Sequence, residues 1–534
     1  MESKYYAGKI LRVDLSRRET AQLETADYAD KFVGGKGLAA RLYWEYAGPQ
    51  ARAGDPSNCL VFANGPLSGF TGLASSRWVV CGTTAAHQPE CFSYGNLGGG
   101  WGNILKASGF DAVVVQGRSD SPVYLFLHDS KGEIRDASAL RGKTTFETSD
   151  SLKADLGKNT GVVCVGPAGE NGVPFATILA DQGASCGGGM GYSLGVKNLK
   201  AIAVAGSWRP EAADPAGLQL VKEQVKLIKG SALEVPSPWR VAGVTTNEIC
   251  HSCGIGCSRQ GYTDRSGHRF KSFCAATGVY SRVAADYYGG WHEVQLEAIR
   301  LCDGYGLDTA VVGPMISWLI ACYRQGIISE GQSGLPLSRA GSPEFIRDFA
   351  RKVALKEGFG QVLAQGTLKA ADLLGSEARA LLADFVSTPT SENKDYDPRL
   401  ILTTGLILAT EPRKPIQQLH GIAGNILIIW SNWARGLKDS YFNTENLRQA
   451  ARRFWGGEEA VDYSTYAGKA LAAKLVQDRA LAQECLVLCD LHWPMLAAYS
   501  GQQYVGDPSV ESKILSAVTG KKIGEAELLE LGER

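Results

Sequence analysis

The sequence predicts an α+β protein in segregated blocks: a β-rich N-terminal domain followed by mainly α-helical domains. Three observations carry that expectation. Short β-branched runs between Gly-rich turns fill residues 1 to about 207. From about residue 215, apolar residues recur at three-to-four spacing. At 534 residues the chain is too long for one core, and length alone sets roughly two to four domains. The expected boundaries are 1–207 for the β-rich domain, then 208–395 and 396–534 for two mainly helical domains.

The elements follow in chain order. "KILRVDLS" alternates, as a half-buried strand does. "NCLVFANG", "RWVVCGTT", "DAVVVQGR", "PVYLFLHD" and "TGVVCVGPAG" are short apolar runs ended by turn residues, and "LKAIAVAGS" closes the series. "DTAVVGPMISWLIACYRQGII", "SPEFIRDFARKVALKEGF" and "YAGKALAAKLVQDRALAQECLVLC" carry helical periodicity. "SEGQSGLPLSRAGSPE" reads as a loop between helices. No internal repeat and no low-complexity tract is evident.

Composition narrows the function classes. The chain is 44% hydrophobic and 21% charged, ordinary for a globular protein. Lys+Arg and Asp+Glu are both 55, so there is no general electrostatic case for nucleic acid or an anionic membrane. "GLILAT" and "GNILIIWSNW" fall short of the roughly 18 apolar residues of a membrane helix, so no membrane insertion is expected. The N-terminus lacks an apolar signal core, which points to the cytoplasm. Thirteen cysteines in such a chain argue for metal or redox use over disulfides.

Three of those thiols stand together. "NEICHSCGIGCSRQ" (247–260) places Cys250, Cys253 and Cys257 in C-x2-C-x3-C spacing. Zinc favours two nearby pairs, and no second C-x2-C exists. A [4Fe-4S] cluster takes a triplet plus one remote thiolate, and Gly254 and Gly256 let backbone N–H groups turn toward sulfur. The cluster is the preferred reading, with zinc and a plain loop as alternatives. Periodicity does not choose the fourth ligand among the ten remaining cysteines.

The chain as a whole resembles the tungsten- or molybdenum-pterin enzymes of the aldehyde:ferredoxin oxidoreductase family. The match rests on ordered segments: "GKILRVDLS", "FVGGKGLAARL", "NGPLSG", "SSRWVV", "GNLGGGWGNILKASGFDAVVVQG", "GPAGEN", "GVKNLKAIAV", the Cys triplet, "DGYGLDT" and "ECLVLCD". The resemblance implies a β-rich pterin-binding domain ahead of the helical domains. It implies a bis-pterin cofactor with tungsten or molybdenum, one [4Fe-4S] cluster, and a magnesium ion bridging the pterin phosphates. It makes Cys489 the fourth cluster thiolate.

The same segments make sense as a cofactor cradle. Gly-rich loops bring backbone amides close to phosphate. "GNLGGGWG" offers Asn96, Gly98 and Gly99, and "GASCGGGMG" offers Ala184. Read without the family, both are tight turns. The second departs from the family's Arg-containing pattern at Ser185-Cys186. In "DGYGLDT", Asp303 and Asp308 flank Gly306 and Leu307. A carboxylate accepts from pterin N–H donors in a bidentate manner, whereas the plain alternative is an Asp cap before a helix at Ala310. Glu484 precedes Cys489 by the same five residues, so each pterin would have its own strip. Arg77 matches a family arginine touching both cluster and pterin, and Asp490 is grouped with the cofactor-binding residues.

The resemblance also supplies the chemistry to look for. Family aldehyde oxidases convert an aldehyde to an acid and pass electrons singly to ferredoxin. A carboxylate soon after the triplet and a downstream His are their expected acid–base groups. Here "GHRFKSFCAATG" holds Lys271, Ser272 and Phe273 where a Glu would stand, followed by Cys274. Cys274 is either a buried small side chain or a thiolate ligand to the metal. The latter resembles the catalytic subunit of ATP-independent benzoyl-CoA reductases, as does "ATEPRKPIQQLH". His420, ending that stretch, is the acid–base candidate; His251 and His492 are expected near the cluster. With no second cluster motif, electrons must go to ferredoxin or an iron-sulfur subunit. The chain ends short of the family's usual last helical stretch. Three classes stand: an aldehyde oxidoreductase on a small-molecule substrate, an aromatic acyl-CoA reductase subunit, and a non-enzymatic iron-sulfur electron carrier. The oligomeric state stays open.

Overall fold

The computed structural model describes residues 4–229, 240–264, 267–273, 275–387, 392–393, 398–399, 401–412, 421–434, 436, 443–498 and 505–534. Twelve strands make up the β-rich part. They are β1 (Lys9–Asp14), β2 (Glu19–Glu24), β3 (Leu60–Ala63), β4 (Trp78–Thr84), β5 (Cys91–Leu97), β6 (Ala112–Gln116), β7 (Val123–His128), β8 (Lys131–Asp136), β9 (Gly161–Val165), β10 (Ile178–Ala180), β11 (Ala184–Ser185) and β12 (Leu199–Ala205). The helices among them are α1 (Ala26–Phe32), α2 (Gly35–Tyr46), α3 (Trp101–Ala107), α4 (Thr145–Leu156), α5 (Pro167–Glu170) and α6 (Met190–Val196).

These strands form two six-stranded sheets, β2-β1-β6-β3-β4-β5 and β11-β10-β9-β12-β7-β8. Reversed, the second order is β8-β7-β12-β9-β10-β11, which is the first sheet six strands later. Each begins with an antiparallel hairpin. Each has one parallel pair, β1 with β6 and β7 with β12. The remaining neighbours are antiparallel. α2 and α4 lie between the second and third strands of their units; α3 and α6 precede the last.

The domain is therefore an internal duplication, which corrects the expectation of no repeat. Its traces sit where the backbone is demanding: "GGGWGNIL" (98–105) with "GGGMGYSL" (187–194), and "GFDAVVVQG" (109–117) with "NLKAIAVAG" (198–206). Gly109 and Asn198, equivalent in this pairing, share positive φ of 99° and 56°. Elsewhere one apolar residue serves as well as another, so the signal fades.

The sheets bury one face against each other through Phe62, Trp78 and Trp101 on one side and Val163, Ile178 and Ile202 on the other. Trp101 Nε1 donates across to the Ile202 carbonyl at 3.2 Å. The outer faces are covered by helices: α2 packs Leu38 and Leu42 on Val61 and Val79, and α4 packs Leu152 on Val162 and Ala201. Strands buried on both faces read as continuous apolar runs, which is why β3, β6 and β9 are legible. β2 and β8 escaped because "ETAQLE" is a mostly exposed and "KGEIRD" a mostly half-buried edge strand, neither with a buried side chain.

The rest is mainly helical, with two small unforeseen sheets among the described residues, one of them the two-stranded pair Val386–Ser387 and Glu392–Asn393. β13 (Thr246–Asn247), β14 (Gln260–Thr263) and β15 (Arg269–Ser272) are antiparallel neighbours flanking the Cys triplet. Helices Val294–Tyr305, Thr309–Arg324 and Pro343–Leu355 share one core. Helix Lys469–Cys485 ends before Cys489, so the long periodic stretch is shorter than the pattern suggests. No helix among the described residues is long and apolar enough to cross a membrane.

Candidate functional site

Segment 73–77 works as a splice between two distant parts of the chain. Ala74 N donates to the Cys253 carbonyl at 3.1 Å, and the Ala74 carbonyl accepts from Cys489 N at 2.8 Å. Arg77 N donates to the Val487 carbonyl at 3.2 Å. Ser76 Oγ donates to the His251 carbonyl at 2.7 Å, and Trp493 Nε1 to the Leu73 carbonyl at 2.9 Å. Cys489 is thereby carried to the triplet. Gly254 (φ 70°) is required here, because a Cβ would lie 2.6 Å from the Gly72 backbone.

Cys250, Cys253, Cys257 and Cys489 line one cavity of about 60 Å³, with Arg77, Gly98, Arg259 and His492 also in its wall. Among the described residues no three His, Cys, Asp or Glu side chains converge on a single-ion position. Thiols spread around a cavity fit a cluster that takes one thiolate per iron better than one tetrahedral ion. Gly98 admits the close approach: its Cβ would stand 3.2 Å from Cys250 Sγ. Arg259 is 5% exposed and donates from Nη1 to Cys250 Sγ at 3.4 Å. Its Nε faces Glu248 Oε2 at 3.6 Å, and its Nη2 makes no hydrogen bond among the described residues, so one buried donor fits an electron-rich group. Burial pushes the Cys257 and Cys489 thiols up, opposed in part by Arg77. A bound cation reverses that preference and draws out the thiolate.

Two carboxylates flank this centre, each on the last turn of a helix. Asp303 closes helix Val294–Tyr305, and Glu484 closes Lys469–Cys485. Three residues on, Gly306 (φ 76°) and Val487 (φ 57°) both turn left-handed. One residue later, Leu307 N returns to the Cys302 carbonyl at 2.8 Å and Leu488 N to the Gln483 carbonyl at 2.9 Å. Both ends are therefore the same helix-stop motif. Each presses on one repeat: a Cβ on Gly166 would lie 2.5 Å from the Tyr305 carbonyl oxygen, and one on Gly65 would lie 2.7 Å from that of Cys485. Gly65 and Gly166 precede equivalent prolines.

Each carboxylate meets a buried lysine. Lys271 Nζ is 2.8 Å from Asp303 Oδ1 and donates to Ser185 Oγ at 2.8 Å. Lys36 Nζ is 3.1 Å from Glu484 and 3.7 Å from Glu411, and stands 3.5 Å over the Tyr94 ring. Asn96 Nδ2 donates to Glu484 Oε1 at 3.2 Å. Its Oδ1 is buried with no hydrogen-bond partner among the described residues, an acceptor suited to a ligand donor. Burial raises the Asp303 pKa against the pull of Lys271. Burial works against the Lys36 charge, but Glu484, Tyr94 and Glu411 outweigh it and hold the ammonium above its ordinary value.

Family models match in two blocks: the aldehyde ferredoxin oxidoreductase N-terminal domain over residues 10–206, and domains 2 and 3 over residues 222–534. This chain belongs to the aldehyde ferredoxin oxidoreductase family. It is 31% identical over 462 residues to the tungsten-containing aldehyde ferredoxin oxidoreductase of Pyrococcus abyssi, covering 76% of this chain and 73% of that one. It is 28% identical over 428 residues to the aliphatic sulfonate oxidoreductase WOR-like subunit of Pyrococcus furiosus, covering 68% and 67%. In fold it is similar to a chain of the active site complex BamBC of benzoyl coenzyme A reductase bound to 1,5-dienoyl-CoA. That likeness has a TM-score of 0.79 at 20% identity, over 99% of this chain and 87% of the other.

Several of the residues singled out from sequence make contacts near these carboxylates and thiols. Asp308 caps helix Thr309–Arg324, its Oδ1 accepting from Ala310 N at 2.9 Å, while Oδ2 faces Gly187, whose Cβ would be 2.7 Å away. Gly306 O accepts from Thr177 N at 2.8 Å, and Leu307 bridges Ala176, tying the strip to the second repeat. Gly99 (φ 83°) packs on the Asp181 carbonyl, next to Ala184. Asp490 Oδ1 is 2.5 Å from Arg77 Nη2 and so orients that guanidinium. The His251 ring is not in the cavity wall; its carbonyl makes the contacts. Cys274 and His420 lie outside the described residues. Sequence reasoning missed Lys36, Glu411, Tyr94 and Arg259, and noted Lys271 only as a missing carboxylate. The signal for Lys36 was there: a lysine inside the Gly-rich turn "GGKG".

Proposed function

We propose that the chain is a tungsten (or molybdenum) bis-pterin oxidoreductase with one [4Fe-4S] cluster, acting on an aldehyde or oxo group and exchanging electrons with ferredoxin or an iron-sulfur subunit. When bound, the metal supplies two-electron redox chemistry and the cluster relays single electrons. Cys250, Cys253, Cys257 and Cys489 would hold the cluster, with Arg77 and Arg259 as donors beside it. Asp303, Asp308 and Glu484 would accept from pterin ring N–H groups, and the loops at Asn96 and Ala184 would meet phosphates and a bridging Mg2+. Lys271 and Lys36 orient two of those carboxylates. His420 is the proton-transfer candidate on sequence grounds.

The observation that carries this reading is the cavity walled by four thiols, with Gly98 and Arg77 beside it. Anaerobic purification with metal and pterin analysis, followed by a viologen-linked assay on a panel of aldehydes, tests it. Iron without tungsten, molybdenum or pterin would leave an electron carrier instead. A second reading, reduction of an aromatic acyl-CoA, is favoured by Lys271: it stands where aldehyde chemistry would need a carboxylate and is already committed to Asp303. Cys274 as a metal thiolate belongs to that reading. The same assay with aromatic CoA thioesters separates the two.

A further inference from the structure

A second site lies at the far end of β5. Cys91 begins that strand and Asn96 nearly ends it, so about 16 Å of extended chain separates them. Cys91 is the one exposed thiol among the described free cysteines. It opens on a cavity of about 880 Å³ between the β domain and the helical part, where Tyr43, Arg52, Tyr192 and Lys369 also stand. His87, in the same wall, is 3% exposed and places Nδ1 2.7 Å from Cys91 Sγ. Its Nε2 is buried without a hydrogen bond among the described residues. At the cavity wall that imidazole stands against the thiol within reach of its proton.

The charge of the cavity selects the ligand class. Arg52 is held by Glu90 at 3.5 Å. Lys369 makes no ion pair among the described residues, which leaves the cavity cationic by one charge. We propose that Cys91 forms a mixed disulfide with a small anionic disulfide docked in this cavity, with His87 taking the thiol proton. Cys91 Sγ attacks one sulfur of the reagent as its proton passes to His87 Nδ1. The new S–S bond forms while the reagent's own bond breaks, and the departing thiolate recovers the proton and leaves as a thiol. Cys91 is oxidised, the departing half is reduced, and no other oxidant enters. Burial raises the Cys91 thiol and brings His87 down to about 4. The pair therefore rests as neutral thiol and neutral imidazole, and the thiolate forms only as the proton passes to His87 during attack.

The test treats the anaerobic holoenzyme with oxidised glutathione (anionic) or cystamine (cationic), and follows adducts by peptide mass spectrometry. Cys91 should be the first thiol labelled, with glutathione disulfide ahead of cystamine by about 3-fold or more at low salt. Lys369→Glu should abolish or invert that order. His87→Gln should slow Cys91 labelling by about 10-fold or more with both reagents. Labelling of Cys91 no faster than the buried thiols, or no reagent preference in the wild-type protein, would overturn the proposal. Should His87→Gln fail to fold, the charge comparison in Lys369→Glu decides alone.

Discussion

The two repeats of the N-terminal domain share a fold but solve one electrostatic problem differently. Each receives a carboxylate from a helix end outside itself, and each carboxylate is buried: Asp303 is 3% and Glu484 is 2% exposed. In the first repeat the compensating cation comes from within, as Lys36 at the start of α2. In the second, the equivalent helix α4 begins with Thr145, whose Oγ1 donates to the Asp303 carbonyl at 2.8 Å. Its cation is borrowed from β15, as Lys271. A duplicated scaffold thus keeps the carboxylate position and leaves the lysine free to come from either side. The cost in the second repeat is dependence on the hairpin that also follows the cluster loop.

The largest effect should come from Lys36→Met. It removes the one ammonium that two buried carboxylates share, and breaking a buried pair costs about 3–5 kcal/mol. Denaturant unfolding measures it, and Lys36→Met with Glu484→Gln should recover part of the loss. The wild-type contribution has a defined pH window. Because the folded pKa lies above the ordinary 10.5, the stability is fully present below that value and is lost only as pH rises through the higher folded value. Melting temperature should therefore fall more steeply for wild type than for Lys36→Met in strongly alkaline buffer.

Lys271→Met should cost less, about 3 kcal/mol, because one buried carboxylate loses its cation rather than two. It should also empty the second-repeat side of the cofactor site first, seen as a loss of pterin content greater than the loss of stability predicts. Equal cofactor loss in both lysine variants would break the comparison.

A smaller effect separates the two helix stops. Gly306 adopts positive φ freely, whereas Val487 is β-branched at 57°. Val487→Gly should relieve that strain, and Gly306→Val should cost about 1–3 kcal/mol by introducing it. The Val487 methyls approach Gly65, so part of the relief will be offset by lost packing. Thermal unfolding of both variants gives the signs.

Much of this was legible in the sequence, and the failures share a cause. Strands buried on both faces announced themselves, as did the helices with one apolar stripe. The polar edge strands β2 and β8 did not, because they pair through the backbone and bury too few side chains to leave an apolar pattern. The duplication was hidden because only positions with special φ, such as Gly109 and Asn198, resist drift. At the site, Cys250, Cys253 and Cys257 declared themselves by spacing. Cys489 needed the family resemblance, since its neighbourhood is made by segment 73–77. Lys36 and Glu411 meet across 375 residues (411 − 36), and no local pattern encodes such a pair.

Segment 73–77 delivers Cys489 to the triplet and so completes one four-thiolate site. The direct measurement is iron content and the reduced-state EPR spectrum of anaerobically purified Cys489→Ala. The account predicts that the native signal is lost and that iron drops well below the about four per chain of a [4Fe-4S] cluster. Full iron with an unchanged spectrum would contradict it and send the search for the fourth ligand to another cysteine.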